Sequence, residues 1–516
     1  MKRFIIILVF ALLFLPAALI MHSHFTPEPR PQDHCPLLLM NTLNIWNQSN
    51  PIHYYYSPVQ THTKPGDKGV TDYKRLEDAK GNNYYVSHPP FVFMLSWGLT
   101  RMIHLKVTYS FFQWTGLVLL LIASFFISAM AGIYVHRKNK IKEKYSFQLS
   151  LSTLTSFLVY ALMPVMLYMH TFSFFSELLG QFFWAALLIL ILRFYDSANK
   201  RLLPAIGLCA FFLIYSDWTG ILYIVPIFIA FFKFRKKNEI KKLFLSVLLG
   251  SVAALLFSIA QYSAIAGMKP FFHALLLRYS ERSGIFGESY SAQGIHLFSV
   301  DSWLYFFRNL HSALLGFGYI ILFLCFLSLL MYRQRIIKIK LSADLKIILL
   351  LTIIPVLLRV ILLFNASATH KLYLSGIAVP IATIAGIAAY NLQSINQYKR
   401  AISFLLIVLF AFGSFISVSV FNDTYAKSYS CDNTKDAAGF IRKEAHFEEV
   451  IFIKNESACP LPLPYLTWAC DRNMMPVKDS IQAKKILTEM KKDSAVLFIL
   501  QDNPAKNIVQ HIICKP

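Results

Sequence analysis

Arg359 stands inside an apolar stretch and has apolar neighbours on both sides. An ionised residue inside a membrane span is costly unless it is paired or faces a cavity. A lipid phosphate is a natural partner for such a guanidinium, because the positive charge stabilises an anion. The alternative is that the long side chain reaches the interface and keeps its charge in water.

The stretch around Arg359 is one of eleven segments with few charges that we interpret as membrane spans. Each is long enough, or nearly so, to cross a hydrocarbon core of about 30 Å as a helix. A spanning backbone must satisfy its own hydrogen bonds, so we expect an all-α polytopic membrane protein. The segments are 4–21, 108–135, 148–169, 177–193, 202–216, 218–233, 243–265, 310–332, 346–364, 372–391 and 401–421.

The composition disfavours a soluble protein. Of the 516 residues, 56% are hydrophobic and 15% charged, and a soluble domain of this size would need more charge. The net charge of +23 raises the question of nucleic-acid binding, but the basic residues form short blocks between apolar segments. That placement is typical of cytoplasmic anchoring rather than of a nucleic-acid partner.

The basic blocks also predict the orientation of the chain in the membrane. Counted in order, they fall on the side of Lys2 and Arg3, which indicates a cytoplasmic N-terminus. We then expect the exported parts to be 22–107, 170–176, 217, 266–309, 365–371 and the tail 422–516. A cleaved signal peptide is the alternative for the first segment, and a single bent element is the alternative for 202–233.

The first exported loop, 22–107, contains two short apolar stretches near 36–46 and 91–103. They are too short to span a bilayer and fit helices that lie in the interface. Asp33 comes just before the first stretch, and His88, Pro89 and Pro90 come just before the second.

This order of features resembles the membrane-embedded glycosyltransferases of the GT-C class. The features are an acid shortly after the first span, a long exported loop, Tyr84-Tyr85 followed by Pro89-Pro90, and an interfacial helix. The families most similar in pattern are the aminoarabinose transferases and the protein O-mannosyltransferases. The resemblance covers about residues 1–420, is strongest over 30–100 and leaves the tail uncovered.

The resemblance implies transfer of a sugar from a polyprenyl phosphate to lipid A, another surface glycan or a protein. A carboxylate must accept the proton of the attacking group, and the resemblance implies Asp33 and Glu177 as the catalytic carboxylates. His34 follows Asp33 where the family has a second acid. The alternatives are a helix N-cap for Asp33 and a favourable helix start for Glu177.

The resemblance also implies residues that bind the phosphate and substrates. His88 stands where relatives have Lys before Pro-Pro, and His370, Lys371 and Tyr373 look like the His-x-x-Tyr region of related transferases. The remaining candidates are Tyr85, Asp217, Arg278, Arg282 and Arg359. Several of these residues have an alternative without a role in binding. His88 would be an ordinary loop histidine and Asp217 a turn residue, and Arg278 and Arg282 would be solvated loop charges. We expect Asp33 and Arg359 to face the same lipid headgroup.

The tail has a different composition from the membrane part, and we predict a small exported α/β domain at 422–516, after a membrane domain at 1–421. Helices are predicted at 437–445 and 480–492, and strands at 449–453 and 495–500. The tail holds Cys431, Cys459, Cys470 and Cys514, which in an oxidising compartment favour disulfides over a metal site.

Other functional classes fit the sequence less well. A transporter would show internal repeats and interrupted helices at matched positions, and a polysaccharide polymerase or ligase would carry its large loop late in the chain. Some GT-C members use a divalent cation, but the exported loops hold no Asp-x-Asp cluster. The compact loops indicate a bacterial inner membrane protein, with the tail in the periplasm.

Reporter fusions test the predicted topology. A reporter inserted in 22–107 and one fused within 422–516 should both be exported, because an even number of spans separates the two regions. A fusion at 139–144 serves as the cytoplasmic control. A cytoplasmic tail would remove one span and overturn the orientation of the later loops.

Overall fold

The computed structural model describes most of the chain, in two compact units. The first unit comprises Met1–Phe25, Phe112–Leu256 and Leu277–Lys427, and the second comprises Thr26–Phe111, Phe257–Leu276 and Ser428–Pro516. The described residues are 2–31, 33–62, 76–104, 107–138, 151–233, 238–285, 295–333, 343–393, 399–427, 433–446, 449–456, 463–501 and 506–513.

Helices dominate the described residues. They are α1 (Lys2–His22), α2 (His34–Gln48), α3 (Phe91–Met102), α4 (Tyr109–Lys138), α5 (Leu151–Leu162), α6 (Pro164–Phe172), α7 (Ser176–Ser197), α8 (Leu203–Ser216), α9 (Gly220–Lys233), α10 (Asn238–Ala266), α11 (Met268–Ser283), α12 (Val300–Leu314), α13 (Phe317–Arg333), α14 (Ala343–Leu362), α15 (Phe364–Thr369), α16 (Ala378–Gln393), α17 (Lys399–Val420), α18 (Asn433–Glu444), α19 (Leu463–Cys470) and α20 (Ser480–Glu489). Short 3₁₀ helices precede α8 at Lys200–Leu202 and α16 at Lys371–Ile377, and a π-helical turn, Phe421–Ala426, follows α17.

The chain is a helical polytopic membrane protein. Six helices of the described ranges are long and apolar enough to cross a membrane, or up to eight spans if each of two bent pairs is one span. The six are Tyr109–Val135, Ser176–Ser197, Lys241–Ala266, Leu345–Leu362, Lys371–Gln393 and Arg400–Ala426. The predicted count of eleven stays a prediction, since α1, α8 and α9 are short in their described apolar parts.

The predicted span 148–169 is two helices rather than one. α5 and α6 meet at Met163 with a bend of 54°. Pro164 is the first residue of α6, and Met163 before it has an extended backbone, φ −62° and ψ 132°. A proline disfavours helical geometry in the preceding residue and donates no backbone hydrogen bond, which explains the break.

The predicted span 310–332 begins in the wrong place. Residues 310–314 are the end of α12, and α13 starts only at Phe317, after a bend of 91°. Gly316 makes the bend with φ +94°, and a Cβ there would lie 2.8 Å from the carbonyl oxygen of Gly413. The backbone therefore turns where only glycine fits easily.

The second unit contains α2 and α3. They confirm the prediction that the apolar stretches near 36–46 and 91–103 are helical. The unit also contains a two-stranded ribbon of β1 (Leu76–Glu77) and β2 (Asn83–Tyr84). The tail adds a sheet of β3 (Val450–Asn455), β4 (Met475–Pro476), β5 (Ser494–Leu500) and β6 (Ile508–Ile513) in the order β4-β3-β5-β6. β5 is parallel to β3 and antiparallel to β6.

Side chains that alternate in direction along the tail strands pack against other elements on both faces of this sheet. Ile451 and Val496 point into a cluster that α18, α19 and Leu37 of α2 complete, whereas Phe452 and Leu497 point into a second cluster under α20. Successive side chains of a strand point to opposite faces, so both faces are buried. The first loop and the tail thus share one hydrophobic core.

The predicted disulfides have little support among the described cysteines. Cys470 carries a free thiol, and its sulfur lies 3.6 Å from the carbonyl oxygen of Ala438. Burial raises the pKa of this thiol to about 12. Cys431, Cys459 and Cys514 lie outside the described residues, so the pairing among them stays a prediction.

Close packing of α16 on α4 and α5 predicts sensitivity at Gly386. A Cβ there would lie 2.7 Å from the carbonyl oxygen of Ser152 and 2.8 Å from the Cβ of Ala131. Gly386→Ala should therefore destabilise the protein by about 1–3 kcal/mol through overpacking, measured as a lower thermal midpoint in detergent.

Gly439→Ala is the matched control, because no atom lies within 4 Å of a Cβ at this exposed position of α18. Alanine is the better helix former by about 1 kcal/mol, so the control should be neutral or slightly stabilising. Equal midpoints for the two variants would contradict the tight helix contact.

Candidate functional site

Arg359, near the end of α14, is the centre of a buried polar cluster in the first unit. Its side chain is 3% exposed. Nη1 donates a hydrogen bond to the hydroxyl of Tyr223 at 3.0 Å, and Nη2 lies 3.6 Å from Oδ2 of Asp217. The guanidinium carbon stands 4.4 Å from the ring centroid of Tyr373, within the range of a cation–π contact. The snorkelling alternative is therefore wrong, because the charge stays inside the protein.

Asp217 is held in place by the turn that joins α8 to α9. It follows the last residue of α8 with an extended backbone, and its carboxylate accepts hydrogen bonds from the backbone N–H and the hydroxyl of Thr219. Gly180 of α7 leaves room for it, since a Cβ there would lie 3.2 Å from that of Asp217. The residue is both the predicted turn aspartate and the ionic partner of Arg359.

Tyr223 connects α9 to the same cluster. Its ring stacks on Trp184 of α7, with centroids 4.5 Å apart and planes 18° apart. Its hydroxyl accepts the hydrogen bond from Arg359 and lies 3.5 Å from the position of a Cβ on Gly376. Helices α7, α9 and α14 and the 3₁₀ segment before α16 therefore meet at one buried point.

Glu177 and Arg282 complete the charge balance. Glu177 lies in the first turn of α7, is 3% exposed and interacts electrostatically with Arg359 and Tyr373. Arg282 of α11 donates a hydrogen bond to the hydroxyl of Tyr373. The cluster thus combines two guanidinium groups with two carboxylates, and the negative charges offset the cost of burying the positive ones.

The guanidinium of Arg359 retains donors for a further acceptor. Within the described part of the chain, its Nε and Nη2 have no hydrogen-bond partner, and the ion pair with Asp217 is longer than a hydrogen bond. An unsatisfied buried donor is destabilising. An anionic oxygen at this point would satisfy the Nε and Nη2 donors and explain their orientation.

Three other predicted binding residues have different surroundings. Arg278 pairs with Glu281 at 2.7 Å. Nζ of Lys371 donates a hydrogen bond to the carbonyl oxygen of Thr424 at 3.3 Å and lies 4.5 Å from the centre of the Tyr425 ring. His370 is exposed, and its ring centroid is 6.1 Å from that of Tyr373.

Asp33 lies in the second unit, and its environment differs from the predicted alternative. It is at the N-cap position of α2, but its carboxylate makes no capping hydrogen bond. Both oxygens instead accept from Arg30, from Nε at 2.7 Å and from Nη2 at 2.9 Å. This bidentate pair fixes the orientation of a buried carboxylate. Asp33 and Arg359 belong to different units, and their convergence on one headgroup stays a prediction.

Tyr85 and His88 lie together in the same unit. Their rings are nearly parallel with centroids 6.0 Å apart. The hydroxyl of Tyr262, from the end of α10, donates to the carbonyl oxygens of both residues, at 3.1 Å and 2.7 Å. Tyr262 thus anchors the His-Pro-Pro segment.

Asp78 holds the chain before this segment. Burial raises the pKa of its carboxyl, but hydrogen bonds from Asn82, Tyr84 and the backbone N–H of Lys80 outweigh burial, so the pKa lies below its ordinary value. The carboxylate therefore remains ionised over the physiological range and keeps the loop closed.

Several residues of these sites were not predicted. Tyr223, Arg30 and Tyr262 each contact a predicted residue, and Thr219 and Gly180 position Asp217. Arg30 could have been found by its spacing of three residues from Asp33. Tyr223 gives no such signal, because an aromatic residue in an apolar segment is ordinary.

A divalent cation, which some GT-C members use, stays a prediction for this chain. Such an ion takes several oxygen ligands. In the described ranges, no three His, Cys, Asp or Glu side chains gather into a group that could hold a metal. Both oxygens of Asp33 also face a guanidinium.

Comparison with sequence families finds no family model that matches, and no curated protein sequence matches. Solved structures, however, match the fold of the chain. The apo oligosaccharyltransferase of Archaeoglobus fulgidus aligns with a TM-score of 0.59 at 12% identity, over 94% of this chain and 69% of that one. The oligosaccharyltransferase AglB of Archaeoglobus fulgidus, in complex with an inhibitory peptide and a dolichol-phosphate, gives a TM-score of 0.55 at 14% identity, over 95% of this chain and 69% of that one.

The apo structure of ArnT from Cupriavidus metallidurans is similar over nearly the full length of both chains. The TM-score is 0.54 at 12% identity, covering 95% of this chain and 92% of that one. ArnT and AglB are GT-C class glycosyltransferases. At these identities the likeness shows the fold alone, and the chain is therefore a polytopic membrane protein with the GT-C fold. The resemblance inferred from the sequence is confirmed.

The buried ion pair predicts a strong effect on stability. Asp217→Asn and Arg359→Gln should each cost about 3–5 kcal/mol, because each leaves one buried charge without its partner. The double variant should lose less than the sum of the two. Thermal unfolding in detergent measures all three.

Asp423→Asn is the control, since its pair with Lys427 at 3.4 Å is about two-thirds exposed. An exposed pair contributes little, so the midpoint should barely change. Single variants at Asp217 and Arg359 that resemble this control would show that the buried pair does not stabilise the cluster.

Proposed function

We propose that the protein is an integral membrane glycosyltransferase that moves a sugar from a polyprenyl-phosphate donor to a cell-envelope acceptor. The observation that carries this proposal is the buried Arg359 cluster in a chain with the GT-C fold. Within the described residues, Nε and Nη2 of Arg359 have no hydrogen-bond partner, and Nη2 is only ion-paired with Asp217. A dolichol-phosphate bound to AglB supports a lipid-linked donor. The acceptor is lipid A, another surface glycan or a protein.

The proposed reaction is a substitution at the anomeric carbon. A hydroxyl or amide of the acceptor forms the new bond from one face, and the bond from the anomeric carbon to the phosphate oxygen breaks on the other, with inversion. The phosphate leaves with the electron pair. The proton of the attacking group passes to a carboxylate, for which we propose Asp33, with Glu177 as the second catalytic carboxylate.

We propose that Arg359 and Arg282 stabilise the charge that develops on the departing phosphate. Donors preorganised in a water-poor site are effective because they need no reorganisation during the reaction. Tyr373 contacts both guanidinium groups, that of Arg359 through its ring and that of Arg282 through its hydroxyl. Asp217 orients Arg359, and at 3.6 Å it leaves Nη2 available to the phosphate.

The remaining predicted residues are also proposed to bind substrate. His88 and Tyr85 form a stacked pair suited to a sugar or phosphate. His370, Lys371 and Arg278 add positive or donor groups at the ends of α15 and α11.

We further propose that the N-terminus is cytoplasmic, that 1–421 is the membrane domain, and that 422–516 is periplasmic at a bacterial inner membrane. The basic blocks between the apolar segments support this orientation.

Substitution of the proposed catalytic groups tests the function. Asp33→Asn should lower the rate of sugar transfer by about 10²–10⁴-fold, because an amide cannot accept the proton. Arg359→Lys should also lower the rate, since lysine lacks the planar set of donors. The readout is release of polyprenyl phosphate from a labelled polyprenyl-phosphate sugar in proteoliposomes.

Asp423→Asn is again the control and should retain full activity. Wild-type activity of Asp33→Asn would exclude Asp33 as the base. Wild-type activity of Arg359→Lys with unchanged donor affinity would exclude direct recognition of the phosphate by the planar guanidinium.

A further inference from the structure

Helix α12 has an exposed apolar surface that neither the sequence nor the proposed reaction accounts for. Several large side chains at its start and along one side are open: Phe298 is 85% exposed, Val300 74%, Leu304 61% and Phe307 54%. In a soluble protein such a patch would mark a partner site. In a polytopic membrane protein, the position of α12 beside the apolar helix α13 gives the patch a different meaning.

The helix divides into three sectors at about 100° per residue. Val300, Leu304 and Phe307 lie within about 60° of one another and form the apolar exposed sector, which ends at exposed His311 beside the bend. Ser302, Phe306 and Ala313 are buried and face the protein. A third sector is polar and exposed, and it contains Asp301, Tyr305 and Arg308. A helix with protein on one side, apolar exposure on another and charge on the third is typical of a membrane interface.

The angle to α13 supports this placement. α12 and α13 meet at 91°, so α12 lies close to the membrane plane when α13 crosses it. α13 exposes its own apolar side chains, with Leu322 at 60% and Phe326 at 58%. His311 of α12 contacts the hydroxyl of Tyr319 on α13 at the bend. Both helices therefore expose apolar side chains on either side of the polar His311–Tyr319 contact.

We propose that the apolar sector of α12 inserts between the phospholipid acyl chains of the exported leaflet, with its polar sector in the headgroup region. Because α12 adjoins α13 at 91° and both helices expose large apolar side chains, the proposal commits this sector to lipid rather than to a second protein. The choice of leaflet rests on the proposed orientation, whereas insertion itself is independent of the proposed enzymatic activity.

Inserted α12 sets the depth of the segment that carries Tyr373. The ring of Trp303 stands 4.5 Å from that of Phe364, at the start of α15. The side-chain amide of Asn309 donates to the carbonyl oxygen of Ala368 at 2.6 Å. α12 thus anchors residues 364–377 at the surface of the exported leaflet.

Spin labels at two positions of α12 test the proposal in full-length protein in phosphatidylethanolamine–phosphatidylglycerol nanodiscs. The seven native cysteines are replaced by serine, and Phe307→Cys or Asp301→Cys carries the nitroxide. The label at 307 should collide several-fold more with oxygen than with a water-soluble nickel complex, and the label at 301 should show the reverse. Equal nickel accessibility at both positions, or protection of 307 from both reagents, would overturn the proposal.

Photo-crosslinking provides a second test that keeps the native cysteines. A photoreactive amino acid in place of Phe307 should attach to phospholipid, detected by mass spectrometry, whereas one in place of Asp301 should not. Attachment of the 307 probe to a second protein or to another copy of the chain would contradict insertion into lipid.

Discussion

A guanidinium buried among membrane helices requires negative and aromatic partners, and the surroundings of Arg359 meet that requirement. At an effective dielectric constant of about 20, a pair of charges near 4 Å attracts by about 4 kcal/mol, and desolvation offsets much of this. One carboxylate alone is therefore a modest compensation. Tyr223, Tyr373 and Glu177 add a hydrogen bond, a ring contact and a second negative charge. These groups come from separate segments, so the charge requirement fixes how α7, α9, α14 and the start of α16 meet.

The same arrangement explains why a buried cluster can recognise an anion. The two carboxylates neutralise the two guanidinium groups in the folded protein, but neither carboxylate accepts a close hydrogen bond from Nε of Arg359. A phosphate oxygen can take that position without displacing Asp217, whose own hydrogen bonds come from Thr219. In the proposed site, charge balance is thus separated from ligand recognition, which suits the phosphate binding and release that we propose.

Much of the helical architecture follows from local sequence patterns. Helices α2 and α3 were predicted from short apolar stretches, and the tail strands β3 and β5 from β-branched runs. The broken helices were not, because one proline at 164 and one glycine at 316 are weak signals within long apolar sequence. The hydropathy of 310–314 also made these residues look like the start of a span, although they form the end of amphipathic α12. The sectors of α12 can be recognised only from the exposure of its side chains in the folded protein.

Site residues divide in the same way. A charge among apolar residues identified Arg359, but its partner Asp217 is distant in sequence and resembled an ordinary turn residue. Asp33 fitted a helix cap, and only the structure shows that Arg30 takes both carboxylate oxygens. Long-range pairing depends on how the helices pack, and a single sequence without related sequences carries little information about it.

The most direct test is a structure of the full-length protein in nanodiscs with a polyprenyl phosphate bound. The cluster predicts a phosphate oxygen within hydrogen-bond distance of Nε or Nη2 of Arg359, with the Asp217 carboxylate still beside the guanidinium. A headgroup held elsewhere, with Arg359 still enclosed by Asp217, Tyr223 and Tyr373 alone, would contradict a role for this guanidinium in phosphate recognition.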